Sequence, residues 1–201
     1  MSIVRNKVHW YDGNFYAKYL DPWAGELRKM ISEHIQDNST VIDIGCGTGA
    51  LAFELAKKCT KVVGVELSRK MLCYAYEQKQ KGDYPHVLFY HADGSMLTDV
   101  TDEKFNYATI SFVLHEMSPQ ERHKTVQQMK DIARTLIIAD YAVPQPKNIW
   151  GFLNTLSELL GGPSHFKGYW SFAFIKISIF FNGLASITNL NHMSCWPLNN
   201  L

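Results

Sequence analysis

The stretch Val41-Ile42-Asp43-Ile44-Gly45-Cys46-Gly47-Thr48-Gly49 decides the reading of this chain. Its first half is a short, mostly apolar run of the kind that forms a buried strand. Its second half is a glycine-rich turn that runs straight into a helical pattern. Glycine lets a ligand touch bare main chain, and a helix N-terminus attracts negative charge, so this arrangement is a ligand-binding device. Two patterns fit at once. Gly45, Gly47 and Ala50 satisfy the dinucleotide fingerprint G-x-G-x-x-G/A, whereas Gly45, Gly47 and Gly49 satisfy G-x-G-x-G with Asp43 ahead of it.

Downstream positions arbitrate. Glu66 follows an apolar run, 21 residues after Gly45. A carboxylate there can accept hydrogen bonds from ribose hydroxyls, which both cofactor classes require. Asp93, in His91-Ala92-Asp93-Gly94, lies where an adenine edge is expected and can accept from its exocyclic amine. Asp43 suits a ligand carrying an ammonium group and opposes a pyrophosphate. A dehydrogenase also needs a nicotinamide half, yet only about 60 residues follow the fifth strand pattern.

Strand patterns cover Thr40–Ile44, Lys61–Glu66, His86–Tyr90, Phe105–Val113 and Thr135–Ala139. Helical patterns separate them. Asp21-Pro22 reads as a helix start, Ser68 as the cap of the helix that ends near Gly82, and Ser118-Pro119-Gln120-Glu121 as a capping box. Near-continuous apolar strands alternating with helices predict a doubly wound, mostly parallel α/β sheet, helix-covered on both faces. Beyond Lys147 the pattern blurs. Ile149–Leu160 reads as a helix, and an aromatic cluster (Phe166, Tyr169, Trp170, Phe172, Phe174) follows, suited first to a core and otherwise to an apolar acceptor pocket or a membrane surface.

Taken together, the glycine stretch, Gly64-Val65-Glu66-Leu67-Ser68 and Ala92-Asp93 resemble the first three motifs of class I S-adenosylmethionine-dependent methyltransferases. Phe112-Val113-Leu114-His115-Glu116-Met117 and Leu136-Ile137-Ile138-Ala139-Asp140-Tyr141 resemble the fourth- and fifth-strand motifs of the small-molecule, ubiquinone/menaquinone-methyltransferase-like branch. The likeness covers about residues 10 to 160 and implies a Rossmann-like sheet of order 3-2-1-4-5, followed by an antiparallel hairpin 7-6. Leu184–Leu190 and His192–Leu198 are the candidates for that hairpin, although Pro197 and several Asn residues make them poor strands. The resemblance implies S-adenosylmethionine as cofactor and S-adenosylhomocysteine as product. Gly45, Cys46, Gly47 and Gly49 would lie against the methionyl portion, with loop N–H groups meeting its carboxylate and Asp43 facing its amino group. Glu66 would hold the ribose, Leu67 the adenine face, and Asp93 with Gly94 the adenine edge. Ser111 and Phe112 would lie beside the sulfonium.

The expected acceptor is a small molecule. His115 is the candidate general base, with Glu116 beside it as orienter; packing or capping the following turn is the other role open to it. Among the aromatics at the start, Tyr11, Tyr16 and Tyr19, one is expected to close over the cofactor, Tyr16 ahead of Tyr11, while the rest pack. Tyr141 is a candidate substrate contact. A nicotinamide-dependent oxidoreductase and a non-catalytic cofactor-binding or interaction domain stay open as alternatives.

Composition bounds these readings. The 201 residues suit one domain, with 1–38 as a helical cap, 39–147 as the cofactor-binding core and 148–201 on the substrate side. A net charge of +1 without a basic cluster gives no nucleic-acid footprint. The four cysteines form no CxxC pair, so no metal site is expected. No run reaches the roughly 18 apolar residues of a membrane span. The N-terminal residues lack a signal-like apolar run, and the expected setting is the cytoplasm. The oligomeric state is not legible.

Overall fold

The structure, a computed structural model, describes residues 6–8, 11–140, 149, 152, 155, 156, 159, 163–173 and 184–186. Five parallel strands follow the expected plan: β1 (Thr40–Ile44), β2 (Lys61–Glu66), β3 (Val87–His91), β4 (Phe105–Ser111) and β5 (Ala133–Ala139). Helices α1 (Gly13–Tyr19), α2 (Gly25–Glu33), α3 (Ala50–Leu55), α4 (Arg69–Lys81), α5 (Pro119–Ile132) and α6 (Pro163–Ala173) surround them. The sheet order is 3-2-1-4-5, with a short β6 (Leu184–Ser186) added beside β5.

Alternation along each strand divides the interior into two cores. Val41, Val62, Val87 and Ile137 face α2, α3 and α4, meeting Leu27, Ile31, Leu51, Leu55, Leu72 and Ala75. Ile42, Ile44, Val63, Val65, Ala108 and Ile110 face the other way, onto Met129 and Ile132 of α5. β1 lies between β2 and β4, so the chain leaves its end in one direction and returns to β4 from the other. Strand-end loops diverge at such a reversal, and the crevice between them is where ligands of this architecture bind.

Three local expectations change. First, Asp21 does not cap α2. Asp21–Ala24 forms a separate 3₁₀ turn, and the α-helix begins at Gly25. The Asp21 carboxylate instead accepts the Thr48 hydroxyl at 2.5 Å and lies 3.5 Å from the Arg28 guanidinium. Burial raises its pKa, opposed by those two partners. Second, Ser68 occupies the N-cap position of α4, but its hydroxyl makes no capping bond. Third, β4 stops at Ser111 rather than Val113. Phe112 takes a left-handed backbone with φ of 54°, which ends the ladder and turns the chain into the 3₁₀ turn Leu114–Glu116. A bulky residue in that region is uncommon and marks a site where the surroundings fix the backbone.

The far edge also departs from the plan. The order 3-2-1-4-5-7-6 places the second hairpin strand beside β5, whereas the first candidate occupies that place. Leu184–Ser186 runs parallel to β5, in register Leu136 with Leu184 and Ile138 with Ser186. A strand that returns after a helical crossover, here containing α6, re-enters in the same direction. The other hairpin candidate, His192–Leu198, lies outside the described residues, as do Tyr141 and Phe174.

The capping box at α5 is present in full. The Glu121 N–H donates to Ser118 Oγ at 3.3 Å, and the Ser118 N–H donates to Glu121 Oε2 at 2.9 Å. Ser118→Ala should destabilise the protein by about 1 kcal/mol, read as a lower urea midpoint with an unchanged slope. An unmoved midpoint would show that the box contributes nothing to stability.

Candidate functional site

The loops at the carboxyl ends of β1 to β4 line an open-sided cavity of about 810 Å³, flanked by the N-terminal segment and α6. A volume of this order lies within the roughly 300–1,000 Å³ of small-molecule sites.

The glycine turn after β1 forms the floor. Gly45, Gly47 and Gly49 all have positive φ, at 70°, 55° and 81°. Gly45 also meets a second demand, because a Cβ there would come within 2.4 Å of Val113 Cγ2. The expected cradle of N–H groups is put to another use. Those of Gly45 and Cys46 donate to the Val65 carbonyl, that of Gly49 to the Cys46 carbonyl, and that of Gly47 to Glu66 Oε2 at 2.9 Å. The turn is thereby stitched to the end of β2.

Glu66 is the joint. Its other oxygen, Oε1, accepts the Ser68 N–H at 2.7 Å. Glu66, Leu67 and Met71 all line the cavity. At the end of β3, Asp93 accepts the Ser95 N–H through Oδ1 at 2.9 Å and lines the cavity together with Gly94. Ser111 and Phe112 line it from the end of β4. The structure thus brings Gly45, Gly47, Glu66, Leu67, Asp93, Gly94, Ser111 and Phe112 to one space.

Asp43, Cys46 and Gly49 do not reach it. Ladder register sets Asp43 beside Thr109, whose hydroxyl donates to Asp43 Oδ1 at 2.7 Å beneath the floor. Burial pushes the Asp43 carboxyl up to about 7, the Thr109 hydrogen bond opposes the rise, and the Glu66 charge adds to it. Burial also pushes the Cys46 thiol well above its ordinary range, with Glu66 and Asp43 contributing. Cys46 packs over Gly64, where a Cβ would come within 2.8 Å of its sulfur.

His115 departs from its expected surroundings. It is 3% exposed and is not among the residues lining the cavity. Its partner is Asp140, not Glu116. Nδ1 lies 2.6 Å from Asp140 Oδ1, and the His115 backbone N–H donates to Oδ2 at 3.1 Å. The ring meets the buried Tyr169 edge-on. Glu116 faces the cavity instead, paired with Lys7. The sequence pattern placed the two neighbours correctly at the strand end, but a 3₁₀ turn decides which one points inward.

The N-terminal wall contains Asn6, Lys7, Val8, Tyr11 and Tyr16. The rings of Tyr11 and Tyr16 lie 5.5 Å apart. Tyr19 is half exposed against Phe15 and takes no part. On the opposite wall, Gly168 of α6 packs on the turn after β4, where a Cβ would come within 2.6 Å of the Glu116 carbonyl oxygen. Arg122 clamps the junction: Nε donates to the Leu114 carbonyl at 3.0 Å, and Nη2 donates to the Met117 carbonyl at 2.9 Å and Ser171 Oγ at 3.2 Å. Within the aromatic cluster, Tyr169 is core and Trp170 is 52% exposed. Neither lines the cavity.

A parallel sheet with a glycine turn at β1 and carboxylates at the ends of β2 and β3, all lining one crevice, is the arrangement of the doubly wound α/β folds. Residues 41–135 match the family model described as a methyltransferase domain. The cypemycin N-terminal methyltransferase of a Streptomyces species is 31% identical over 120 residues, covering 60% of this chain and 46% of that protein. The YcgJ protein of Bacillus subtilis superposes with a TM-score of 0.57 at 22% identity, over 77% of this chain and 66% of its own. Magnesium protoporphyrin IX methyltransferase from Synechocystis, solved with bound S-adenosylmethionine, gives 0.51 at 22% identity over 62% of each chain. The chain spans less than half the length of the first curated relatives it matches, 28% and 46%. Among the described residues no helix is long and apolar enough to cross a membrane.

The raised Asp43 pKa has a sign that can be tested. Its folded value of about 7 lies above the unfolded value near 4. The folded state therefore keeps the proton longer, and this contribution to stability is complete below about pH 4. It is lost as pH rises toward 7, at up to about 1.4 kcal/mol per pH unit. Asp43→Asn has no such proton. Its stability relative to the wild type, from urea unfolding at pH 4 to 8, should climb across that window and level off above it. A constant difference would mean that Asp43 ionises normally.

Proposed function

We propose that this chain binds S-adenosylmethionine in the cavity and transfers its methyl group to a small-molecule acceptor, releasing S-adenosylhomocysteine. One observation carries the reading: the Glu66 and Asp93 carboxylates line the same cavity as the glycine turn. Each Glu66 oxygen accepts one main-chain N–H. A carboxylate oxygen retains a second lone pair, suited to the vicinal hydroxyls of a ribose. Asp93 Oδ1 is held by the Ser95 N–H, which aims the carboxylate for an exocyclic amine. Leu67 and Met71 offer apolar surface to a flat ring. This donor and acceptor set fits a nucleoside, and the family match supports the methyl-donor version over a nicotinamide cofactor.

When bound, the cofactor supplies an electrophilic methyl group on a sulfonium. The chain aligns the acceptor and excludes water. Ser111 and Phe112 line the cavity from the end of β4, and the left-handed Phe112 backbone shapes that wall. In this reading Tyr16 and Tyr11 close the site, Asp43 supports the turn from beneath through its bond to Thr109, and His115 positions Glu116 rather than moving a proton. The free thiols of Cys46, Cys59 and Cys73 support a reducing, cytoplasmic setting.

Calorimetry tests the proposal directly. S-adenosylhomocysteine should bind and NADH should not; the reverse would overturn it. Asp93→Asn keeps an oxygen for the Ser95 N–H but presents an amide NH₂ to the adenine amine. S-adenosylhomocysteine affinity should fall by about tenfold or more, with little change in thermal stability. Undiminished affinity would remove Asp93 from the adenine edge.

A further inference from the structure

The cavity holds an ion pair that the methyl-transfer reading leaves without a task. Lys7 and Glu116 both line it, and the Lys7 ammonium lies against Glu116 Oε2. The two residues have different mechanical settings. Glu116 belongs to the turn after β4, which His115, Asp140 and Arg122 hold from behind and Gly168 presses from the side. Its side chain is 13% exposed. Lys7 belongs to a short extended strap, residues 6–8, whose main-chain anchors are on the nucleoside edge. The Lys7 N–H donates to the Leu67 carbonyl at 3.1 Å, and the Arg69 N–H donates to Asn6 Oδ1 at 3.0 Å. The Lys7 side chain reaches across to Glu116.

The other charged groups of the lining have different engagements. Glu66 and Asp93 accept main-chain N–H groups on the nucleoside side. Glu121 closes the capping box of α5. Lys167 stands exposed on α6. Glu116 is the lining carboxylate, on the turn that follows Ser111 and Phe112, that pairs with a primary ammonium of the strap.

We propose that the methyl acceptor is an amine, that Glu116 is its counter-ion and proton acceptor, and that Lys7 holds the amine's place while the site is empty. The proposal rests on the methyl-transfer reading and narrows it. An ammonium bound at Glu116 gives one N–H proton to the carboxylate. The freed nitrogen lone pair forms the bond to the methyl carbon, the carbon–sulfur bond breaks, and its electron pair stays on the sulfur. The product leaves as a methylated ammonium, and Glu116 returns its proton to solvent. A carboxylate acceptor is repelled by an anion at this place, and a neutral hydroxyl that displaces Lys7 leaves the Glu116 charge uncompensated.

The test uses the full chain with Lys7→Ala, Glu116→Gln and the double variant. S-adenosylhomocysteine binding is measured first, so that failure of the methyl-transfer reading shows itself separately. Primary amines from ethylamine to phenethylamine, with the alcohols and carboxylates of the same skeletons, are then titrated into each protein. Lys7→Ala should bind the amines about tenfold or more tighter than the wild type does, because a charge-assisted hydrogen bond has been vacated. The alcohols and carboxylates should show no such gain, and the double variant should lose it. Methyl incorporation from labelled S-adenosylmethionine should favour the amines over the other two series. Equal affinity of Lys7→Ala for amines and alcohols, retention of the gain in the double variant, or preferred methylation of an alcohol or carboxylate would overturn the proposal.

Discussion

The Glu66 carboxylate receives the Gly47 N–H on one oxygen and the Ser68 N–H on the other. Those two bonds tie the turn after β1 to the turn after β2, across the pair of strands at the heart of the sheet. Removing the carboxylate would leave two main-chain donors in a poorly hydrated place, and each such loss costs about 1–3 kcal/mol. The glycine turn has few other supports. Its remaining main-chain bonds run to Val65, within the turn and into the first turn of α3, and the Thr48 hydroxyl reaches Asp21, so its shape follows largely from where β2 ends. Positive φ at Gly45, Gly47 and Gly49 lets the turn take that shape without a Cβ penalty. The end of the cavity at β1 and β2 is therefore set by main-chain geometry and one buried acid.

The other end depends on side chains. Arg122 reaches from α5 to the Leu114 and Met117 carbonyls and to Ser171 of α6. Burial lowers its pKa, and the nearby Asp140 charge works against that fall. Asp140 in turn holds His115 at both its backbone and its ring. The result is a short turn, Leu114–Glu116, gripped from three directions, on which the backbone of α6 rests at Gly168. A turn this constrained can hold one side chain in a fixed attitude, as a functional group requires.

Much of the first end was legible in the sequence, and little of the second. Strands β1 and β2 have the expected bounds because their apolar runs end at glycine or at an acid, and neither tolerates further pairing in a buried ladder. The α5 capping box was equally local, a matter of Ser118 and Glu121 three residues apart. Phe112 was not legible, since no aromatic residue advertises a left-handed backbone; the packing of Val113 over Gly45 helps impose it. That single turn moved Glu116 inward and His115 back, reversing the order suggested by side-chain chemistry. Asp140 and Arg122 lie 25 and 7 residues beyond His115, so their meeting depends on tertiary contacts that no spacing rule reports. Asp43 shows the same limit. Its charge suggested a ligand contact, whereas strand alternation and the β1–β4 register set it against Thr109.

The contrast between the two ends bears on how the cavity can be entered. A fully buried ion pair resists separation, because breaking it leaves an uncompensated charge at about 3–5 kcal/mol. A fully exposed pair contributes only about 0–1 kcal/mol and would not hold a strap in place. Lys7 and Glu116, with side chains 31% and 13% exposed, lie between these limits. Exchange of the Lys7 ammonium for another ammonium keeps Glu116 compensated throughout, so it avoids the larger penalty. Exchange for a neutral or anionic group does not. The energetics of one partly exposed pair thus discriminate among entering molecules by charge before any contact with their carbon skeleton is made. The two main-chain anchors of the strap, on Leu67 and Arg69, need not break for this to happen. Only a lysine side chain has to swing aside, and such side-chain motions are fast compared with the loop movements that commonly limit turnover.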